Sequence, residues 1–322
     1  MANHQNPEIR ERRLSDEDLQ ELAAGGHLYA VIDSCNVPMA PKKSLELGND
    51  RAISLYRGSP EQDFWDVAPY LLKVDTGVLE WLRTNASKEG WGIFIASKAD
   101  LGALRHHLRH FLKVQPPEGN VWFFRFYDPR VLRPFLPACS ANELRMFFGP
   151  VLAYGIAEPD VKNATFFQPV QPRFGSEDPA LLVKYSIIFS LRPQHVEALR
   201  AQAEASFRQR LIRHLRNERV PGVDELDDIR LEAKVCFGID RARKYGFKWP
   251  VNFATFVAFM FRFAPNFDQH PHVRAVLTDS SVDCEYRFNT LVQQITDSEW
   301  RQIVRDADQA LWPHVGTGVN RG

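Results

Sequence analysis

The chain has 322 residues, 44% hydrophobic and 25% charged, with forty basic residues against forty acidic ones. That composition describes a folded protein long enough for two cores, and its neutrality excludes a global field drawing it to nucleic acid or an anionic membrane. No secretory or transit pattern opens the sequence, which predicts cytoplasmic residence. The apolar run 253–263 is too short to span a bilayer and contains Arg262, so no membrane association is expected.

In chain order, Ser15 followed by Asp16, Glu17 and Asp18 predicts an N-capped helix stopped by Gly25 and Gly26. Residues 28–33 read as a buried strand ending in Asp33, a carboxylate placed either for a ligand or, as preferred here, for a turn. Strands are expected over 51–57, 70–74 and 90–97, with a helix over 77–86 between the last two. Residues 100–114 are predicted as a helix capped by Asp100, apolar along Leu101, Leu104, Leu108, Phe111 and Leu112. Its opposite face is basic through Arg105, His106, Arg109, His110 and Lys113.

Residues 121–127 have the aromatic character of a strand, interrupted by Arg125. Asp128 and Pro129 break it and start a helix. A second aromatic pair, Phe147 and Phe148, precedes Gly149 and Pro150. Residues 151–158 and 164–170 read as an antiparallel pair. Prolines 159, 169, 172 and 179 with Gly175 then mark a linker, with a domain boundary over 172–179. Residues 180–191 fit either a last strand of the first domain or a first element of the second.

From residue 193 the periodicity is helical throughout: 193–219, 225–245, 251–263, 273–277, 284–295 and 298–311. The expected fold class is therefore α+β or α/β, with an N-terminal mixed-sheet lobe (1–175) followed by an all-helical lobe (176–315) and a frayed tail (316–322).

The words WGIFIAS, LRHHLRHFL, RFYDPRVLRPFLP and FFGP, in that order over about residues 28–155, resemble the effector chaperones, or adaptors, of bacterial type VI secretion. The stretch from Ala233 to Pro271 is a looser match to the helical region of many members. The resemblance implies a non-enzymatic adaptor whose partners are a secreted toxic effector and a VgrG spike protein. It directs attention to Arg125, Tyr127, Asp128, Arg130, Arg133, Phe147 and Phe148 as partner-binding candidates. The charged cluster Arg125, Asp128 and Arg130 either fixes the strand-to-helix corner, anchors a partner, or does both.

Two other classes remain. A metal-dependent or hydrolytic enzyme would need ligands or an activated nucleophile. His106 and His110 have metal-compatible i,i+4 spacing but sit beside Arg105 and Arg109, and no nucleophile motif is present, so no catalytic, cofactor or metal residue is assigned. Cys35, Cys139, Cys236 and Cys284 are expected as buried small hydrophobes. A nucleic-acid binder would use the basic residues from 105 to 133 with Phe111, Trp122 and Phe124, but those aromatics are expected in the core.

Overall fold

In the computed structural model, residues 8–56, 64–86, 90–170 and 188–313 are described. The chain forms two units, Met1–Gln202 and Ala203–Gly322. The boundary expected over 172–179, the ambiguous start of 180–191 and the tail from 316 lie outside the described residues.

The first unit is built on a seven-stranded sheet, antiparallel at every pairing, in the order β1-β9-β8-β5-β2-β4-β3. Its strands are β1 (Ile9–Leu14), β2 (Leu28–Asp33), β3 (Ala52–Ser54), β4 (Pro69–Lys73), β5 (Gly92–Ser97), β8 (Val151–Ala157) and β9 (Ala164–Pro169). A second, three-stranded sheet orders as β10-β6-β7, from β6 (Lys113–Gln115), β7 (Trp122–Phe123) and β10 (Phe189–Ser190). There β10 runs parallel to β6, which supplies the mixed character expected of this lobe.

Period-two alternation gives the large sheet two buried faces. Tyr29, Val31, Leu71, Ile93 and Ile95 enter one core. Leu28, Ala30, Ile32, Leu72, Phe94 and Ala96 enter the other. The first face is covered by α4 (Leu101–Arg109), α5 (Pro129–Ala138) and α6 (Ala141–Phe148), through Leu104, Leu108, Leu132, Phe135, Leu136, Leu144, Phe147 and Phe148. The second is covered by α1 (Asp16–Ala24), α2 (Ala40–Leu47) and α3 (Thr76–Asn85), through Leu19, Ala40, Val78, Leu79 and Leu82. Two fully covered faces explain why the central strands lack a polar side.

Caps fix the helix starts. Ser15 and Ser140 form capping boxes with Asp18 and Glu143, and Asp75, Asp100 and Asp128 each accept a first-turn N–H. After α6 the chain turns at Gly149 (φ +45), where a Cβ would come within 2.4 Å of the His107 ring. Only glycine permits that approach.

The predicted helix over 100–114 ends at Arg109. Residues 113–115 are instead claimed by strand pairing on both sides, a tertiary demand that overrides helical periodicity. The predicted strand over 121–127 contracts to β7, because Asp128 N–H closes a turn onto the Arg125 carbonyl.

The helix α7 (Pro193–Asn217) opens in the first unit, where Val196 and Leu199 join the core. The second unit contains the rest of its residues with α8 (Asp228–Lys244), α9 (Pro250–Arg262), α10 (Pro271–Thr278), α11 (Arg287–Gln294) and α12 (Asp297–Arg305). Leu215, Leu231, Val235, Phe256, Phe267, Leu277 and Leu291 make its core. Inside it Arg241 donates to the Asp268 carboxylate at 2.5 Å and to the Pro265 carbonyl at 3.0 Å. The Tyr245 hydroxyl donates to the other Asp268 oxygen at 2.9 Å.

Candidate functional site: the strand-to-helix corner and its exposed edge

The Arg125 guanidinium pairs with Asp33, whose side chain is 1% exposed at the end of β2. The same carboxylate accepts from Cys35 N–H (3.2 Å) and Asn36 Nδ2 (2.8 Å), so its lone pairs are well used. The sequence reading of Asp33 as a turn former is therefore half of its role. The other half, capture of Arg125 from far along the chain, was invisible in local sequence.

Asp128 caps α5 and holds Arg130. It accepts from Arg130 N–H (2.9 Å), and the Arg130 fork reaches its two oxygens from Nε (3.0 Å) and Nη2 (2.7 Å). Arg130 also fills the space that a side chain at Gly90 would need. Tyr127 is buried, its hydroxyl hydrogen-bonded to Tyr56, and burial pushes its pKa far above the usual phenol value. Arg133 is exposed, with its guanidinium 6.0 Å from the Phe167 ring centroid.

Phe147 and Phe148, expected at a partner surface, are 0% and 1% exposed. They stack against Phe111, Phe135 and Tyr154 in the first core, and a second chain cannot touch them there. The Phe147 carbonyl is held by the Tyr154 hydroxyl and by His107 Nε2, each at 2.9 Å. Burial holds His107 down to a pKa of about 4, so the ring is neutral and donates through Nε2. The corner therefore splits: Tyr127, Asp128, Phe147 and Phe148 face inward, and Arg125, Arg130 and Arg133 reach solvent.

The aromatics beside them split as well. Phe111 and Phe124 are buried as expected, but Trp122 is 40% and Phe123 47% exposed, which corrects the expectation that this strand lies wholly in the core. Val121 is exposed with them, and the Phe123 ring meets Tyr56 edge-on at 5.6 Å. Of the cysteines only Cys139 is buried; Cys35 is exposed, and Cys236 and Cys284 are half-buried.

One grouping among the described residues brings ligand-type side chains together from distant positions. Cys139 Sγ, a Glu143 oxygen and a His195 ring nitrogen all lie within 4.8 Å of one another. Their surroundings do not suit a metal. Arg192 grips the Glu143 carboxylate through Nε (2.7 Å) and Nη2 (2.5 Å), which puts a positive charge where a dication would repel it. His195 Nδ1 accepts the Arg192 backbone N–H at 3.0 Å, which leaves the proton of the neutral ring on Nε2, the nitrogen that faces Glu143 at 3.6 Å. Burial pushes the Cys139 thiol pKa well up, and the thiol donates to the Phe135 carbonyl at 3.3 Å. A thiol held protonated beside a ring without a free basic nitrogen is neither a ligand set nor an activated nucleophile. The cluster is a polar tie between α5, α6 and the start of α7.

The remaining cations between 105 and 133 are turned inward in part. Arg105 donates to the carbonyls of Ser54 (2.8 Å) and Tyr56 (3.1 Å), and Arg109 to that of Tyr56 (3.4 Å). His106 and His110 meet edge-on with ring nitrogens 3.4 Å apart, and burial lowers the His110 pKa, helped by His106 and Arg109.

These features define a scaffold in which the polar clusters brace the corner and an aromatic edge is left to solvent. Residues 28–146 match the family model of a domain of unknown function, DUF4123, a family associated with type VI secretion effector adaptors. No curated protein and no solved structure matches the chain. Among the described residues, no helix is long and apolar enough to cross a membrane.

Proposed function

We propose that this chain is a non-enzymatic adaptor that binds a type VI secretion effector in the cytoplasm and brings it to a VgrG spike protein. The observation that carries this reading is the match of residues 28–146 to the DUF4123 family, which ends inside α6 and takes in the whole strand-to-helix corner. The surface chemistry supports it. Exposed aromatics next to half-exposed arginines are the residue types that anchor protein–protein interfaces.

Among the described residues, the grouping that resembles a catalytic set has chemistry that disfavours an enzyme. Cys139 is kept as a thiol, His195 presents an N–H, and Arg192 neutralises Glu143. A nucleic-acid binder is disfavoured because Arg125 and Arg130 are bound to carboxylates of their own chain, which removes much of the charge that phosphate contacts would need.

Deleting the gene in a strain that fires the secretion machine tests the proposal. Export of the cognate effector should stop while the effector is still made and the spike is still exported. Undiminished effector export would overturn it.

A further inference from the structure

The edges of the two sheets are treated differently. β1, the outer strand beside β9, carries exposed Arg10, Glu11, Arg12 and Arg13, the charged guard that keeps an edge from pairing with another chain. β7 is an outer strand too, yet Val121, Trp122 and Phe123 lie exposed along it with no charge among them.

The register states which backbone groups this edge offers. Phe124 N–H donates to the Leu112 carbonyl at 2.8 Å, and Lys113 and Val114 stand opposite Phe123 and Trp122. In an antiparallel ladder, pairs that face each other and pairs that face away alternate. Phe124 and Trp122 therefore turn their backbone groups toward β6, and Phe123 and Val121 turn theirs outward. The inner side of β6 is already used: Gln115 C=O accepts from Leu191 N–H at 2.8 Å on the β10 side.

The side chains around the edge set the chemistry of an occupant. Phe123 and Tyr56 form an aromatic step. Exposed Lys113 is the direct cross-strand neighbour of Phe123 and shares its face, and Arg105 is bound near Tyr56 only through carbonyls, which leave its charge in place.

Resting on the adaptor reading above, we propose that the outer edge of β7 receives an extended segment of the partner protein as a fourth strand. Its backbone pairs with Phe123 and Val121, its apolar side chains pack on Phe123 and Tyr56, and its acidic residues lie toward Lys113 and Arg105. A second copy of this chain fits less well, because two-fold pairing of two such edges would bring like-charged rims together.

The test uses the 322-residue chain with candidate type VI effector and VgrG spike proteins of its own organism, each co-expressed and measured as a purified pair. Phe123→Ala removes the ring and keeps the outward N–H; Phe123→Pro removes both, at an edge position where proline leaves the β6 ladder intact. Phe123→Lys is the second route, a charge on the edge with the backbone unchanged. The expected result is a thermal midpoint close to wild type for all three, binding of one partner weakened roughly tenfold or more by Phe123→Pro and Phe123→Lys, and a smaller loss for Phe123→Ala. In the complex, the Phe123 amide should become protected from hydrogen exchange. If wild type binds neither protein, the adaptor reading itself fails. If wild type binds and folded Phe123→Pro and Phe123→Lys bind as tightly, or the Phe123 amide stays unprotected, the edge proposal alone is overturned. It is also overturned if the wild type self-associates and Phe123→Lys makes it monomeric with partner binding unchanged, since the occupant is then a second copy.

Discussion

Arg125, two residues past β7 of the small sheet, pairs with Asp33 at the end of β2, and so ties the two sheets of the first unit together through an ion pair. The carboxylate is 1% exposed and the guanidinium 41%, so the two sides of the pair respond differently to substitution. Arg125→Ala strands a buried carboxylate and should destabilise the protein by about 1–2 kcal/mol, the lower end reflecting solvent screening of the arginine. Asp33→Asn in that background should recover part of the loss. Urea melts of the two single variants and the double variant measure it; additive losses would show that the pair is not coupled.

At the corner, Asp128 acts as cap and as counter-charge. Asp128→Ala loses both and should cost about 1–2 kcal/mol, whereas Asp128→Asn keeps a cap acceptor and should cost less. Equal thermal midpoints for the two variants would refute the capping role.

His107 gives the first unit an acid sensitivity whose sign follows from its depressed pKa, about 4 in the folded protein against 6.5 for the free group. Its contribution is complete above pH 6.5. As pH falls from there toward about 4, the unfolded chain takes up a proton that the folded one refuses, and about 3 kcal/mol is lost. Melts across that range should show a slope near one proton that His107→Gln removes. An unchanged slope in a folded variant contradicts the assignment.

In the helical unit, the Arg241–Asp268 pair is buried at both ends, and burial, helped by the Asp268 charge, raises the Tyr245 pKa to about 12. Asp268→Ala leaves a buried guanidinium and should cost about 3 kcal/mol or more. Arg241→Met with Asp268→Leu should be far milder, measured by the same melts.

Much of the fold was legible because periodicity, caps and punctuation agree. Asp128 before Pro129 marks the start of α5, and the change to unbroken helical periodicity after residue 193 marks where the strands give way to helices. What escaped was what depends on neighbours distant in sequence. β1 has no apolar alternation to signal a strand, because Arg10, Glu11, Arg12 and Arg13 all stay exposed at the sheet edge, and α2 begins without a side-chain cap. The Glu143, Arg192 and His195 tie unites residues about fifty positions apart. Aromatic composition predicted a strand around Trp122 and Phe123 but could not say that it would be an edge. Phe147 and Phe148 were drawn to the surface by their place in the resemblance, and volume alone puts them in the core.

Mixing the purified 322-residue chain with candidate type VI effector and VgrG spike proteins of its own organism, and weighing the products by native mass spectrometry, tests the proposed adaptor function most directly. A complex containing all three proteins, absent when this chain is left out, is the predicted result. An effector and spike that assemble equally well without it, or a chain that joins neither, would contradict it.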